Sequence, residues 1–131
     1  MKSVRAILIA FACLAASIVA AQPDGDENLI IGTWKGTSLC QVKNSPCHDE
    51  AVVYHITKSA GSDSFYVLMN KMVNGVEEEM GTLACSYEAN RNILRSTAYG
   101  SLWIFEVKGK KMLGTLTWKN ALYRKIDVAK Q

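Results

Sequence analysis

The sequence predicts an all-β fold, an eight-stranded antiparallel up-and-down β-barrel with no helix after its last strand. Three observations carry that prediction. Eight runs rich in β-branched and aromatic residues follow one another, punctuated by Gly, Asn and Ser turn signals. No segment places its apolar residues at the spacing of an amphipathic helix. The connections are short, so each strand pairs with the next, and an even number of strands lets the first and last meet antiparallel and hide both edges. With 131 residues the chain bounds one domain, and a composition 49% hydrophobic and 21% charged excludes a disordered tail.

Taken in order, residues 1–21 carry Lys2 and Arg5 ahead of an apolar run that ends in Val19, Ala20 and Ala21, the pattern of a cleaved secretory signal. The expected location is therefore secreted or periplasmic. Past that segment no run is long and apolar enough for an integral membrane span. Removing Lys2 and Arg5 takes the net charge from +3 to +1. The remaining basic residues are scattered, the densest group being Lys108, Lys110 and Lys111 at a turn, so a nucleic-acid surface is not expected. Residues 22–28 are polar and acidic and read as a flexible leader, and the barrel domain is expected over 29–131.

The first strand is expected at 29–39. It is followed by the longest connection, where Cys40 and Cys47 flank the turn residues Asn44, Ser45 and Pro46, which can fold the chain back and bring the two sulfurs together. We expect a Cys40 to Cys47 disulfide, worth roughly 2 to 3 kcal/mol in the loop-entropy picture. The remaining strands are expected at 51–58, 64–73, 76–87, 92–98, 101–107, 111–118 and 121–128. Asn74-Gly75 suits a two-residue type I′ hairpin, Tyr99-Gly100 and Lys108-Gly109 supply permissive glycines, and Ala60-Gly61-Ser62-Asp63 forms a longer turn. Cys85, alternating with Leu83 and Tyr87, reads as a buried, unreactive thiol.

Side chains alternate between the two faces of a strand. In the last strand Arg124 shares a row with Leu122, Ile126 and Val128, and a guanidinium in an apolar row needs a partner. In the first strand Gly32 and Gly36 leave space around Trp34. Closure would set these two strands side by side, with Arg124 stacked on Trp34. For Phe65, Val67 and Met69 against Tyr66 and Leu68, and for Trp103, Phe105 and Val107 against Leu102 and Ile104, both rows are apolar and the inner one is left open.

Gly32-Thr33-Trp34 in the opening strand, together with Arg124 in the closing one, resembles the structural signature of the calycin superfamily, which contains lipocalins, fatty-acid-binding proteins and avidins. The chain looks most like the small secreted lipocalin-like proteins of bacteria. It departs from lipocalins in ending directly after the last strand, and from fatty-acid-binding proteins in having a cysteine loop where those carry two helices. The resemblance implies a binding barrel with a lid between strands one and two, over the open end. Tyr54, Phe65, Tyr87, Trp103 and Met112 are the candidate wall residues for a small apolar or amphipathic ligand. The alternative is a protein-recognition module of the periplasmic protease-inhibitor kind, presenting an end loop or the leader to a partner.

Little points to catalysis. Cys47, His48, Asp49 and Glu50 are consecutive and cannot converge on one metal ion from an extended strand, and Asn44 stands where a haem-attachment motif needs cysteine. His55 reads as a satisfied strand histidine, and Glu77, Glu78 and Glu79 as a solvated strand end. No cofactor, metal or enzymatic activity is expected.

Overall fold

A computed structural model describes residues 27–131; the expected signal segment and most of the leader lie outside them. The described chain runs α1 (Glu27–Ile30), β1 (Gly32–Cys40), β2 (Glu50–Lys58), β3 (Phe65–Val73), β4 (Val76–Glu88), β5 (Ile93–Ala98), β6 (Ser101–Lys108), β7 (Lys111–Trp118) and β8 (Ala121–Lys130). Each strand pairs antiparallel with its neighbour, and β1 also pairs with β8, so these eight strands close into a barrel. The strand order is the one the turn spacing predicts.

Closure depends on a close approach. Gly36 lies opposite Val128 across the β1–β8 seam, and a Cβ at that position would sit 2.0 Å from the Asp127 carbonyl oxygen. A glycine in a strand commonly marks such an approach of two backbones.

The register settles the inner row. Trp34, Tyr54, Met69, Leu94, Phe105 and Ile126 point inward, which places Phe65, Val67, Trp103 and Val107 inside and Tyr66, Leu68, Leu102 and Ile104 outside. Three strands lie between β2 and β6 in either direction round the barrel, so they form opposite walls, yet the Tyr54 and Phe105 rings meet edge to face with centroids 6.1 Å apart. Side chains thus fill the middle of the cylinder, as a barrel of this strand number permits. Gly114 makes room for this packing, since a Cβ there would meet the Phe105 ring at 2.6 Å.

One end is plugged by α1. The expected strand start at 29 is replaced by a single helical turn that buries Ile30 and leaves Leu29 exposed. Trp34 Nε1 donates to the Ile30 carbonyl at 2.8 Å, and Lys58 pairs with Glu27. Lys130 Nζ donates to the carbonyls of Asn28 (3.0 Å) and Leu29 (2.9 Å), satisfying groups that a helix end leaves without partners.

The stack of Arg124 on Trp34 is not made. The β1–β8 register sets Trp34 against Lys130 and Cys40 against Arg124. Six residues of strand, about 20 Å of backbone, therefore separate the two positions, and the guanidinium is held at Ser38 and not at the indole. The row assigned to Arg124 is inward as expected, but its position along the barrel is the opposite end.

Cys85 is buried, with its thiol hydrogen-bonded to Ser96, and burial pushes its pKa up to about 11 from 9.0. Burial likewise raises the Tyr54 phenol above its ordinary value, the nearby Arg124 opposing this only in part. Both groups hold their protons more tightly folded than unfolded. Their contribution to stability is complete below about pH 9 and is lost as pH rises through the folded value. Urea midpoints are expected to be flat from pH 7 to 9 and to fall towards pH 11, and a thiol reagent at pH 8 should label Cys85 only after unfolding.

Candidate functional site

The four connections 41–49, 74–75, 99–100 and 119–120 gather at the end opposite α1. The longest carries the Cys40–Cys47 disulfide, with Cα atoms 5.8 Å apart. Its turn forms as the residue types dictate: Asn44 adopts a left-handed φ of 57°, and Ser45 Oγ donates to the Val42 carbonyl and accepts from the Cys47 N–H. The Asp49 carboxylate accepts the Cys40 N–H at 2.8 Å, and the Gln41 N–H donates to the Tyr123 carbonyl, tying the loop to β8.

Under this loop lies the polar cluster that Arg124 joins. Its Nη1 donates to the Ser38 carbonyl and hydroxyl, both at 3.3 Å, and to the His48 carbonyl at 3.1 Å, and it lies 3.6 Å from Glu50 Oε2. The two charged side chains are only 14% and 12% exposed. Ser38 also hydrogen-bonds the Tyr54 phenol. Removing one member of such a pair leaves the other charge poorly solvated. Arg124→Met is expected to cost about 2 to 3 kcal/mol in urea unfolding, with much of the loss recovered when Glu50→Gln is added. Additive losses would contradict the pairing.

The expected wall residues are spread along the cylinder rather than gathered round one chamber. Phe65 and Tyr87 meet edge to face at the α1 end, where Tyr87 donates to Asn92, and Met112 packs nearby opposite Val107 and Val128. Tyr54 lies at mid-height. Trp103, half-buried, stacks on Phe105 with centroids 6.1 Å apart, nearer the disulfide end. Tyr54, Phe65 and Met112 are fully buried.

What the disulfide end displays is an aromatic rim. Tyr99 stands at the tip of the β5–β6 hairpin, fully exposed, with a φ of 51°. Trp118, 43% exposed, meets Tyr123 edge to face and carries Lys119 Nζ 4.5 Å above its ring. Ser101 pairs with both Ala98 and Trp118, so the two hairpins adjoin, and a cleft of about 290 Å³ lined by Thr97, Leu102, Thr117 and Lys119 lies between them. Leu39 and Leu122 add exposed apolar surface at the same end. In the sequence Tyr99-Gly100 reads only as a turn. The available signal was the tyrosine itself, at a left-handed position that favours Gly, Asn or Asp.

On the outer wall His55 is held at both ring nitrogens, Nδ1 by Thr33 Oγ1 (3.1 Å) and Nε2 by Glu77 Oε2 (2.8 Å). His55 and, secondarily, Asn70 hold the Glu77 carboxyl below the usual carboxylate range. Among the described residues no group of three or more His, Cys, Asp or Glu side chains converges to hold a metal ion, and no helix is long and apolar enough to cross a membrane.

Compared with known proteins, the chain matches no family model, no curated protein and no solved structure.

Proposed function

We propose that this chain is a secreted, non-catalytic recognition protein that binds another protein through the aromatic rim at the disulfide end. The observation that carries this reading is the pairing of a centre filled by the Tyr54–Phe105 contact with Tyr99 and Trp118 held out at one end. Exposed aromatics on short, anchored hairpins are the residue types that dominate protein interfaces, because they bury a large area at low entropic cost. The disulfide supports an oxidising compartment, and it stiffens the loop beside the rim. A closed eight-stranded barrel is compatible with the calycin-like binding fold that Gly32, Thr33 and Trp34 suggest.

The experiment is a quantitative pull-down from the protein's own extracellular fluid, comparing native protein with a Tyr99→Ala/Trp118→Ala variant and with residues 27–131 alone. A partner held by the native and shortened forms, and lost by the rim variant, is the expected result. A partner that stays with the rim variant would contradict the reading.

A second reading has its own support in half-buried Trp103, packed over Phe105 at the height of Arg124, both positions pairing with Leu116. There a small amphipathic ligand would rest its apolar part on the indole. Displacement of a lipophilic dye that is sensitive to Trp103→Ala and insensitive to the rim variant would favour this reading over the first.

A further inference from the structure

The barrel has one incompletely laced seam. β3 pairs with β4 all the way from Val76 to Cys85, but β5 pairs with β4 only at Ser86, Tyr87 and Glu88. The cause is local. β5 is six residues long and turns back at Tyr99-Gly100, while β4 is thirteen residues long and carries an irregularity opposite Met69 and Asn70, with Gly81 at a φ of 149°. Such a bulge bends and twists its strand. The Cys85–Ser96 hydrogen bond lies just beyond the last laced pair. From there to residue 77, β4 turns an edge of backbone N–H and C=O groups towards β5 without a ladder partner among the described residues. Thr82 and Ala84 along it are exposed, as are Met80 and Val76, at 41% and 67%.

A long open edge of this kind is a template for another strand, and proteins usually shorten, cover or charge it. Here the outer end carries Glu77, Glu78 and Glu79. His55 occupies Glu77, Lys71 lies 3.5 Å from Glu78, and Glu79 is exposed. A second copy pairing antiparallel about this end would set acid against acid, a destabilising arrangement directly across a ladder. A foreign strand bearing lysine or arginine would meet opposite charge.

We propose that the open edge of β4, over residues 77–82, beyond the reach of β5, takes up an extended basic peptide segment by β-strand addition. Main-chain hydrogen bonds supply the affinity, and exposed Glu79 favours basic over acidic strands. This site is separate from the aromatic rim and extends the reading of the chain as a recognition protein.

The test uses three synthetic nine-residue probes: a peptide alternating lysine and valine, its counterpart N-methylated at alternate amides, and one alternating glutamate and valine. The first should bind saturably in a fluorescence anisotropy titration and slow hydrogen exchange at amides within 77–82. N-methylation and acidic substitution should each weaken binding at least tenfold. Glu79→Lys should weaken the basic probe by about tenfold, whereas the Tyr99→Ala/Trp118→Ala variant should bind it unchanged, which separates failure of this proposal from failure of the rim reading. The proposal is overturned if the basic probe does not saturate, if the N-methylated probe binds equally well, if protection appears at the rim instead, or if light scattering finds the free chain dimerising through this edge.

Discussion

Trp34→Ala is expected to lower the unfolding free energy by about 3 to 5 kcal/mol, the range for removing a large aromatic from a packed core. Trp34 is completely buried, and its indole N–H is the donor that holds the Ile30 carbonyl at 2.8 Å. The alanine variant therefore opens a cavity at the α1 end and leaves that carbonyl without its partner. Loosening α1 should follow, because Ile30 then loses both its donor and part of its packing surface. Trp34→Phe separates the two effects: it keeps most of the apolar volume, removes the hydrogen bond, and should cost about 1 to 2 kcal/mol. Urea unfolding followed by circular dichroism measures both. A loss below 1 kcal/mol for the alanine variant would mean that the indole does not hold this end of the cylinder.

Gly36→Ala is expected to cost about 3 kcal/mol, near the upper end of ordinary overpacking losses. The added methyl would meet the Asp127 carbonyl oxygen at 2.0 Å and the Val128 Cα at 2.8 Å. These are backbone atoms, so no side-chain rotation relieves the clash and the β1–β8 seam must spread. Hydrogen exchange should accelerate first at the paired residues of that seam, Lys35 to Leu39 against Lys125 to Ala129. Gly75→Ala is the control. Its site is open and carries only the penalty of a left-handed φ of 79°, about 1 kcal/mol. Equal losses for the two variants would contradict the tight seam.

The strands were legible because period-two alternation and turn chemistry are local properties. Asn74-Gly75 marks its hairpin directly, and Asn44, Ser45 and Pro46 mark the cysteine loop. Closure was legible from strand number and short connections. Register was not. Parity placed Arg124 in the inner row, but its height along the barrel depends on how β8 slides against β1, two strands at opposite ends of the chain. The helical turn at Glu27–Ile30 was hidden because Leu29, Ile30 and Ile31 read as a strand start, and only the Trp34 and Lys130 side chains, brought in by the fold, hold it helical. Which of two apolar rows faces inward was also a tertiary question: Val53 points outward with His55, yet it is buried at 1% exposure, so an apolar outer row is no sign of an inner one. The aromatic rim was invisible for a similar reason. Trp118 and Tyr123 carry no signal singly, Tyr99 signals only an unusual turn residue, and only the barrel topology gathers their turns at one end.

The most direct test of a closed cylinder with a side-chain-filled centre is an aromatic-resolved nuclear Overhauser measurement on the folded protein. Cross-peaks between the Tyr54 and Phe105 rings, which approach from opposite walls, are the expected result. Well-ordered rings without those cross-peaks, each instead facing water or a bound apolar molecule, would contradict it.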